Sequence, residues 1–249
     1  MITLFLLSPF PPLGLFLLPL TRHTLTLYNM LPQQENLPQA LKLALEALRD
    51  EDLRERARRS GGRYEIGPDH QPRIGLRYLN RDGWISFPAG AIEFPDGRGP
   101  VSLREEILIF HYLKTAGGTR LSGEWISFAN IPAGAFYNPV FQKRCKDPLV
   151  RFFGANPDDL RSVAAAMNAE PVAIGDGGFK IPAFPMTPLA LVLWRGDEDF
   201  PPEGNVLFDR SITDYLPVED IVILAETVVW KLIKNKGSRV PGFEGSRGK

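Results

Sequence analysis

Six consecutive apolar residues, from Leu189 to Trp194, are the feature of this sequence that most restricts its fold. A strand with one face in water alternates apolar and polar side chains, whereas a strand covered on both faces is apolar throughout. We therefore predict a central strand with a neighbour on each side and packed layers on both faces. The run ends abruptly at Arg195, where the chain becomes acidic. Functional sites in α/β sheets often lie where a strand ends.

Composition narrows the class of protein. The chain has 249 residues, 44% hydrophobic and 23% charged, which is enough for a sizeable core. Its formal net charge is zero, which argues against binding to nucleic acid or to an anionic membrane surface. The single cysteine, Cys145, excludes an internal disulfide and a metal or cluster site built from cysteines of one chain. These features are typical of a protein of the reducing cytoplasm, where we expect it.

The periodicity of apolar residues predicts the fold. Period-2 alternation and turn residues indicate two short antiparallel β-meanders, and apolar positions at helical spacing indicate long helices. We predict a single-domain α+β fold in which the meanders join in a sheet packed by helices. The predicted meanders cover residues 74–94 and 172–184, and the predicted helices cover 37–59, 102–116 and 217–235.

Local residue pairs predict where several helices begin. Ser102 and Glu105 form the pattern of a capping box, in which each side chain bonds the other's backbone N–H. An Asn or Asp followed by proline recurs every nine residues and predicts three successive short helices. These pairs are Asn138-Pro139, Asp147-Pro148 and Asn156-Pro157. Before them, residues 119–137 are predicted to form an irregular loop rich in aromatic residues.

The ends of the chain are predicted to lie outside the folded domain. Residues 1–20 carry no charge, but their prolines and their lack of a basic start and a small-residue cleavage site fit neither a spanning helix nor a signal peptide. We favour the hypothesis that Met30 is the true start and that 1–29 is an apolar, proline-rich extension, in which case no membrane association is expected. The domain is then predicted to span 30–236, followed by a disordered basic tail at 237–249.

Candidate site residues come from two stretches and one helix. The aromatic stretch and the acidic strand end are predicted to line one cleft, with a histidine from the second long helix as a candidate ligand or base. These residues are Trp125, Tyr137, Trp194, Asp197, Glu198, Asp199, Phe200 and His111. Asp197 and Asp199 have the spacing of calcium ligands, but Pro201 and Pro202 break the loop pattern, so no metal site is predicted. The alternative interpretation of the acidic loop is structural: it caps the last helix and pairs with nearby arginines.

Several stretches resemble the family called domain of unknown function 3786, found in anaerobic bacteria and archaea. They are HYLKTAGG, FGANPDDL, FPMTPLALVLW and GDEDFPPEGNVLFDRSITDYLPVEDIVILAE, within residues 36–235. The resemblance implies a binding or accessory protein associated with corrinoid or iron–sulfur metabolism. A corrinoid or another tetrapyrrole is a candidate cofactor by resemblance only. Relatives often carry a cysteine-rich cluster segment, which a chain with only Cys145 lacks, so cluster binding is not implied.

Three functional hypotheses follow. The first, which we favour, is a non-catalytic binding or accessory protein whose partner is another protein or a small molecule. The second is a metal-dependent hydrolase that uses the acidic strand end at 197–199, with Asp197, Asp199 and His111 as its catalytic groups. The third is a docking module that binds a basic protein partner through the same acidic loop.

Overall fold

The computed structural model of the protein describes residues 36–237. The proposed start at Met30, the extension 1–29 and residues 238–249 of the predicted 237–249 tail lie outside these residues, whereas Gly237 ends the last helix. Within them the chain forms two antiparallel sheets and several helices, so the predicted α+β class is confirmed. The two meanders build two sheets, however, and do not join in one.

The first predicted helix is in fact two helices, α1 (Leu37–Glu46) and α2 (Leu53–Arg59). The prediction of one helix over 37–59 is wrong because Asp52 adopts an extended backbone, with φ −71° and ψ 101°, and begins a new helix. Its carboxylate accepts hydrogen bonds from the N–H groups of Arg54 and Glu55, at 2.9 and 3.3 Å. Short acidic side chains compete in this way with the helical ladder of the backbone.

The first sheet, sheet A, contains strands β1 (Arg63–Ile66), β2 (Pro72–Tyr78), β3 (Arg81–Ser86) and β4 (Ala91–Glu93) in that order. A two-residue turn joins β2 to β3, and its residues Leu79 and Asn80 have φ of 47° and 59°. Turns with both residues at positive φ match the natural twist of a hairpin. Sheet A is connected to the second sheet by the N–H of Leu79, which donates to the carbonyl of Ala183 at 2.9 Å.

Helix α3 (Leu103–Thr115) follows sheet A and begins with the predicted capping box, which is confirmed. Glu105 does more than cap the helix, because its carboxylate also contacts two other elements. It accepts a hydrogen bond from the Tyr78 hydroxyl of β2 at 3.2 Å and pairs with Lys231 of the last helix at 2.9 Å. Sheet A, α3 and the last helix are therefore joined at one buried carboxylate.

The stretch after α3 is more regular than predicted. It contains strand β5 (Trp125–Ser127), helix α4 (Gly134–Phe141), a π turn (Gln142–Lys146) and helix α5 (Asp147–Phe153). The predictions of an irregular 119–137 loop and of a helix start at Asn138 are wrong, because β5 and the first turn of α4 lie within 119–137 and Asn138 lies inside α4. Helix α5 does begin at Asp147, but it continues directly from the π turn without an N-cap hydrogen bond, so α4, the π turn and α5 form one continuous helical segment. Proline removes a backbone donor inside a helix. The wider π turn directly before Pro148 accommodates that loss.

The remaining elements build sheet B and its cover. They are helix α6 (Pro157–Ala164), strands β6 (Glu170–Val172), β7 (Gly177–Phe184), β8 (Thr187–Trp194) and β9 (Glu203–Asp209), and helix α7 (Val218–Gly237). The third predicted helix start, at Asn156-Pro157, is confirmed. Sheet B has the order β5-β9-β8-β7-β6, so the predicted central strand β8 is confirmed. One continuous cluster of buried apolar side chains runs through both sheets and the helices, as expected for one domain.

Candidate functional site

The acidic segment forms the loop between β8 and β9, which we call the β8–β9 loop (residues 195–202). Strand β8 is fully buried as far as Leu193, whereas Trp194 is 40% exposed where the strand leaves the core. The backbone N–H of Arg195 donates to the Asp176 carboxylate at 2.8 Å, and its guanidinium pairs with Asp158 at 3.0 Å. The start of the loop is thus fixed to two neighbouring segments.

Asp197 holds the loop in a tight turn. Its Oδ1 atom accepts hydrogen bonds from the N–H groups of Asp199 and Phe200, at 2.9 and 2.8 Å, and its own N–H donates to the carbonyl of Phe200 at 2.9 Å. Gly196 is required here, since a Cβ atom would lie 2.7 Å from the backbone nitrogen of Pro202. Asp197 therefore has a structural role, as expected for an Asp side chain that closes a turn.

The turn directs an aromatic side chain and two carboxylates into solvent. Phe200 is 71% exposed, and Glu198 and Asp199, which precede it in the turn, are also exposed. Within residues 36–237 neither the Glu198 nor the Asp199 carboxylate forms an ion pair or a hydrogen bond. The loop also lines a shallow surface depression of about 450 Å³, completed by Gly154 and Ala155 at the end of α5.

His111 forms a different site, at the start of α7. Its Nδ1 atom lies 2.8 Å from Oδ2 of Asp220, whose side chain is 7% exposed. Burial alone would lower the pKa of His111, but the hydrogen bond and the negative charge of Asp220 outweigh burial and raise that pKa above its usual value. Nδ1 is committed to Asp220, and the imidazole remains 29% exposed, so a His–Asp pair faces the surface here.

Tyr137 lies at the same end of α7. Its hydroxyl donates to Oε1 of Glu219 at 2.6 Å, and this hydrogen bond raises the pKa of Tyr137. Two candidate residues from distant parts of the chain are thus held by consecutive carboxylates, Glu219 and Asp220. The sequence placed these acids in the first turn of the helix but did not predict their partners. Only the tertiary fold shows that His111 and Tyr137 approach that turn.

The predicted single cleft does not form. Trp125 pairs with Asp209 at one end of β9, whereas Trp194 pairs with Glu203 at the other. Six residue steps along a strand separate these ends by roughly 20 Å. The His111 pair belongs to the Asp209 end, because Thr115, one turn beyond His111, donates to the carbonyl of Tyr215, which follows β9.

The groups of the hydrolase hypothesis are consequently divided between two ends of sheet B. Asp197 and Asp199 lie in the β8–β9 loop and His111 lies beside Asp220. In the part of the chain that the structure describes, no three His, Cys, Asp or Glu side chains are grouped closely enough to hold a metal ion. Cys145 is buried in the π turn and burial raises the pKa of its thiol, which makes it a poor nucleophile.

Comparison with known proteins identifies the family. The model of the family described as "Domain of unknown function (DUF3786)" matches residues 52–231. The chain belongs to this family. The match begins at the cap of α2 and ends within α7, so it includes both sheets, the β8–β9 loop and the His111–Asp220 pair. Neither a curated protein nor a solved structure matches the chain. Among residues 36–237, no helix combines the length and the apolar character that crossing a bilayer requires.

Proposed function

We propose that this domain is a non-catalytic accessory protein that binds a basic segment of a protein partner through the β8–β9 loop. The observation that carries the proposal is the anchored turn at Asp197, which leaves Phe200 exposed directly after the unpaired carboxylates of Glu198 and Asp199 in the same loop. An exposed ring in the same short loop as two negative charges suits a segment that combines Lys or Arg with an apolar residue.

Physical considerations support this use of the loop. Unpaired surface carboxylates attract a basic segment over a distance and orient it, an effect that salt weakens. Burying the Phe200 ring against a partner would contribute about 1.5–3 kcal/mol. Because the loop is already fixed by hydrogen bonds and by the Arg195–Asp158 pair, little conformational entropy is lost on binding.

The cellular setting is part of the same proposal. We place the domain in the cytoplasm, and the single buried thiol of Cys145 supports this location. We also place its partner in corrinoid or iron–sulfur metabolism, which only the family resemblance supports. The hydrolase hypothesis is not favoured, because Asp197 is engaged in the turn and His111 lies at the other end of sheet B.

Fluorescence anisotropy with a labelled peptide of alternating lysine and leucine tests the proposal. We expect saturable binding that weakens as salt is raised, and at least a tenfold loss of affinity in the Glu198→Gln/Asp199→Asn double variant and in Phe200→Ala. The matched control is Asp50→Asn/Glu93→Gln, which removes two exposed carboxylates elsewhere. The control should stay within twofold of wild type. Equal losses in both double variants, or none in either, would overturn the proposal.

A further inference from the structure

A second, smaller pocket lies between the end of β5, the junction of α4 with the π turn, and β9. Its volume is about 130 Å³, and its wall is mostly polar. The polar side chains that line it are Ser127, Asn138, Gln142, Lys146 and Asn205. Phe141 and Phe128 also line the pocket, and their rings stack with centroids 4.2 Å apart.

The helical spacing explains why these side chains converge. Asn138, Gln142 and Lys146 are each four residues apart, so they project from the same side of a continuous helical segment. The π turn begins at Gln142 and lies directly against the pocket. Single π turns inside α-helices are frequent at functional sites.

Three of the five polar side chains in the pocket have no internal partner within residues 36–237. Within the described part of the chain, the side chains of Ser127, Asn138 and Gln142 form no hydrogen bond. Asn205 uses its Oδ1 atom to accept the N–H of Val206 at 2.9 Å, which leaves its amide NH₂ as a donor. Gln142 is exposed and Ser127, Asn138 and Asn205 are half-buried, so their donors are available to a polar ligand that replaces water in the pocket.

The charge of the pocket indicates what kind of ligand it suits. Its lining contains one cation, Lys146, and no carboxylate. The Lys146 ammonium pairs with Glu203 at 2.9 Å, but the Glu203 side chain is 61% exposed, and exposed pairs of this kind contribute little. Lys146 is therefore able to exchange Glu203 for a bound anion. One cation with several amide and hydroxyl donors suits a planar monoanion.

We propose that this pocket binds the carboxylate group of a small organic acid. The Lys146 ammonium neutralises the charge, while Asn138, Gln142 and Asn205 donate hydrogen bonds to the two oxygens. A phosphate dianion is a poorer match, because a single lysine leaves one of its charges uncompensated. The site shares no residue with the β8–β9 loop, so it is independent of the proposed docking function.

Nuclear magnetic resonance with ¹⁵N-labelled protein tests this site directly. Sodium acetate is titrated at constant pH and ionic strength while the side-chain amide signals of Asn138, Gln142 and Asn205 are followed. We expect chemical-shift changes that saturate with acetate. Acetamide has the same shape without the charge, and its affinity from the same titration should be at least tenfold lower. Equal responses to acetate and acetamide, or no saturation with acetate, would refute the proposal.

Three variants separate binding in the pocket from a general charge effect. Lys146→Met should weaken acetate binding at least tenfold, whereas Lys143→Met, which removes an exposed lysine of the same π turn, should stay within twofold of wild type. Glu203→Gln frees Lys146 without altering the pocket wall and should strengthen acetate binding. This third variant keeps the proposal testable if Lys146→Met fails to fold. Equal effects of the two lysine variants, or weaker binding in Glu203→Gln, would contradict it.

Discussion

His111 of α3 and Asp220 of α7 lie 2.8 Å apart, between Nδ1 of the imidazole and Oδ2 of the carboxylate, although 109 residues separate them in the chain. The pair connects two helices that both pack on the core. It also makes the stability of the fold depend on a group that titrates near neutral pH.

The first prediction concerns pH. Burial disfavours protonated His111, but Asp220 outweighs burial, so the folded-state pKa is raised above the unfolded value of about 6.5. A raised pKa means that the pair's contribution is fully present below about pH 6.5 and is lost as pH rises through the folded-state pKa. Wild type should therefore lose stability relative to His111→Gln as pH rises from about 5.5 to 9, measured by urea unfolding.

A direct titration provides the control for this prediction. The imidazole of His111 can be followed by nuclear magnetic resonance in wild type and in Asp220→Asn. Asparagine removes the negative charge while keeping the shape, so the pKa of His111 should fall below its wild-type value. An unchanged His111 pKa in Asp220→Asn would show that Asp220 is not the cause of the shift.

The second prediction concerns Asp209 at the end of β9. Its buried carboxylate accepts hydrogen bonds from the N–H and hydroxyl of Ser122, the N–H of Gly123, and the N–H and hydroxyl of Ser211, at 2.7–3.0 Å. Burial alone would raise the pKa of Asp209, but these donors lower it to about 2. Asp209→Asn should cost about 2–3 kcal/mol of unfolding free energy, because its amide cannot accept all five bonds.

The stability that Asp209 contributes depends on pH in the opposite direction to the stability contributed by the His111–Asp220 pair. A lowered folded-state pKa contributes stability that is present above the unfolded value of about 3.9 and is lost as pH falls towards 2. The difference between wild type and Asp209→Asn in urea unfolding should therefore shrink as the solution is acidified below about pH 4. Exposed Glu93→Gln is the matched control and should show no such trend.

Some of the fold could be predicted because its causes are local. The unbroken apolar run of β8 indicates burial on both faces, and Ser102 followed three residues later by Glu105 predicts a capping box. Asp52 with Glu55 is a similar pattern, and it marks the break between α1 and α2 that the sequence-based prediction of one helix missed. In that region the apolar spacing continues across a turn, so periodicity alone suggested one helix.

Other features depend on contacts that the sequence does not display. Strand β5 has three residues and exists because β9 offers it hydrogen bonds 80 to 84 residues later in the chain, at pairs such as Trp125 with Asp209. Prolines at 139 and 148 predicted new helices, yet tertiary packing and a π turn keep one helical segment. The composition of residues 197–200 was enough to predict an exposed acidic loop. The partners of His111 and Tyr137 could not be predicted, because they are distant in the chain and approach only in the tertiary fold.

The third prediction separates the role of Asp197 from those of its neighbours. Its Oδ1 atom holds the turn by accepting two N–H groups, so Asp197→Ala should release the loop and weaken peptide binding about as much as Phe200→Ala. Asp197→Asn keeps an oxygen in the same place and should retain affinity within a few-fold. Anisotropy with the lysine–leucine peptide measures both variants. Equal losses in the Ala and Asn variants would show that the charge of Asp197 matters and not its turn.

The fourth prediction concerns the outer face of sheet A. The indole of Trp84 lies across Gly75 of the neighbouring strand, and a Cβ atom at that glycine would be 2.9 Å from Cζ3 of the ring. The guanidinium groups of Arg63 and Arg73 lie 4.8 and 4.0 Å from the indole centroid. Gly75→Ala should displace the indole, disturb both cation–π contacts and cost about 1–3 kcal/mol.

A double-mutant cycle tests whether the indole is the cause of that cost. In a Trp84→Ala background the space above Gly75 is open, so Gly75→Ala should cost less than about 0.5 kcal/mol or even stabilise the strand, since glycine is unfavourable within strands. Urea unfolding of wild type, both single variants and the double variant gives the four corners of the cycle. A coupling energy near zero would mean that the cost of Gly75→Ala does not come from contact with Trp84.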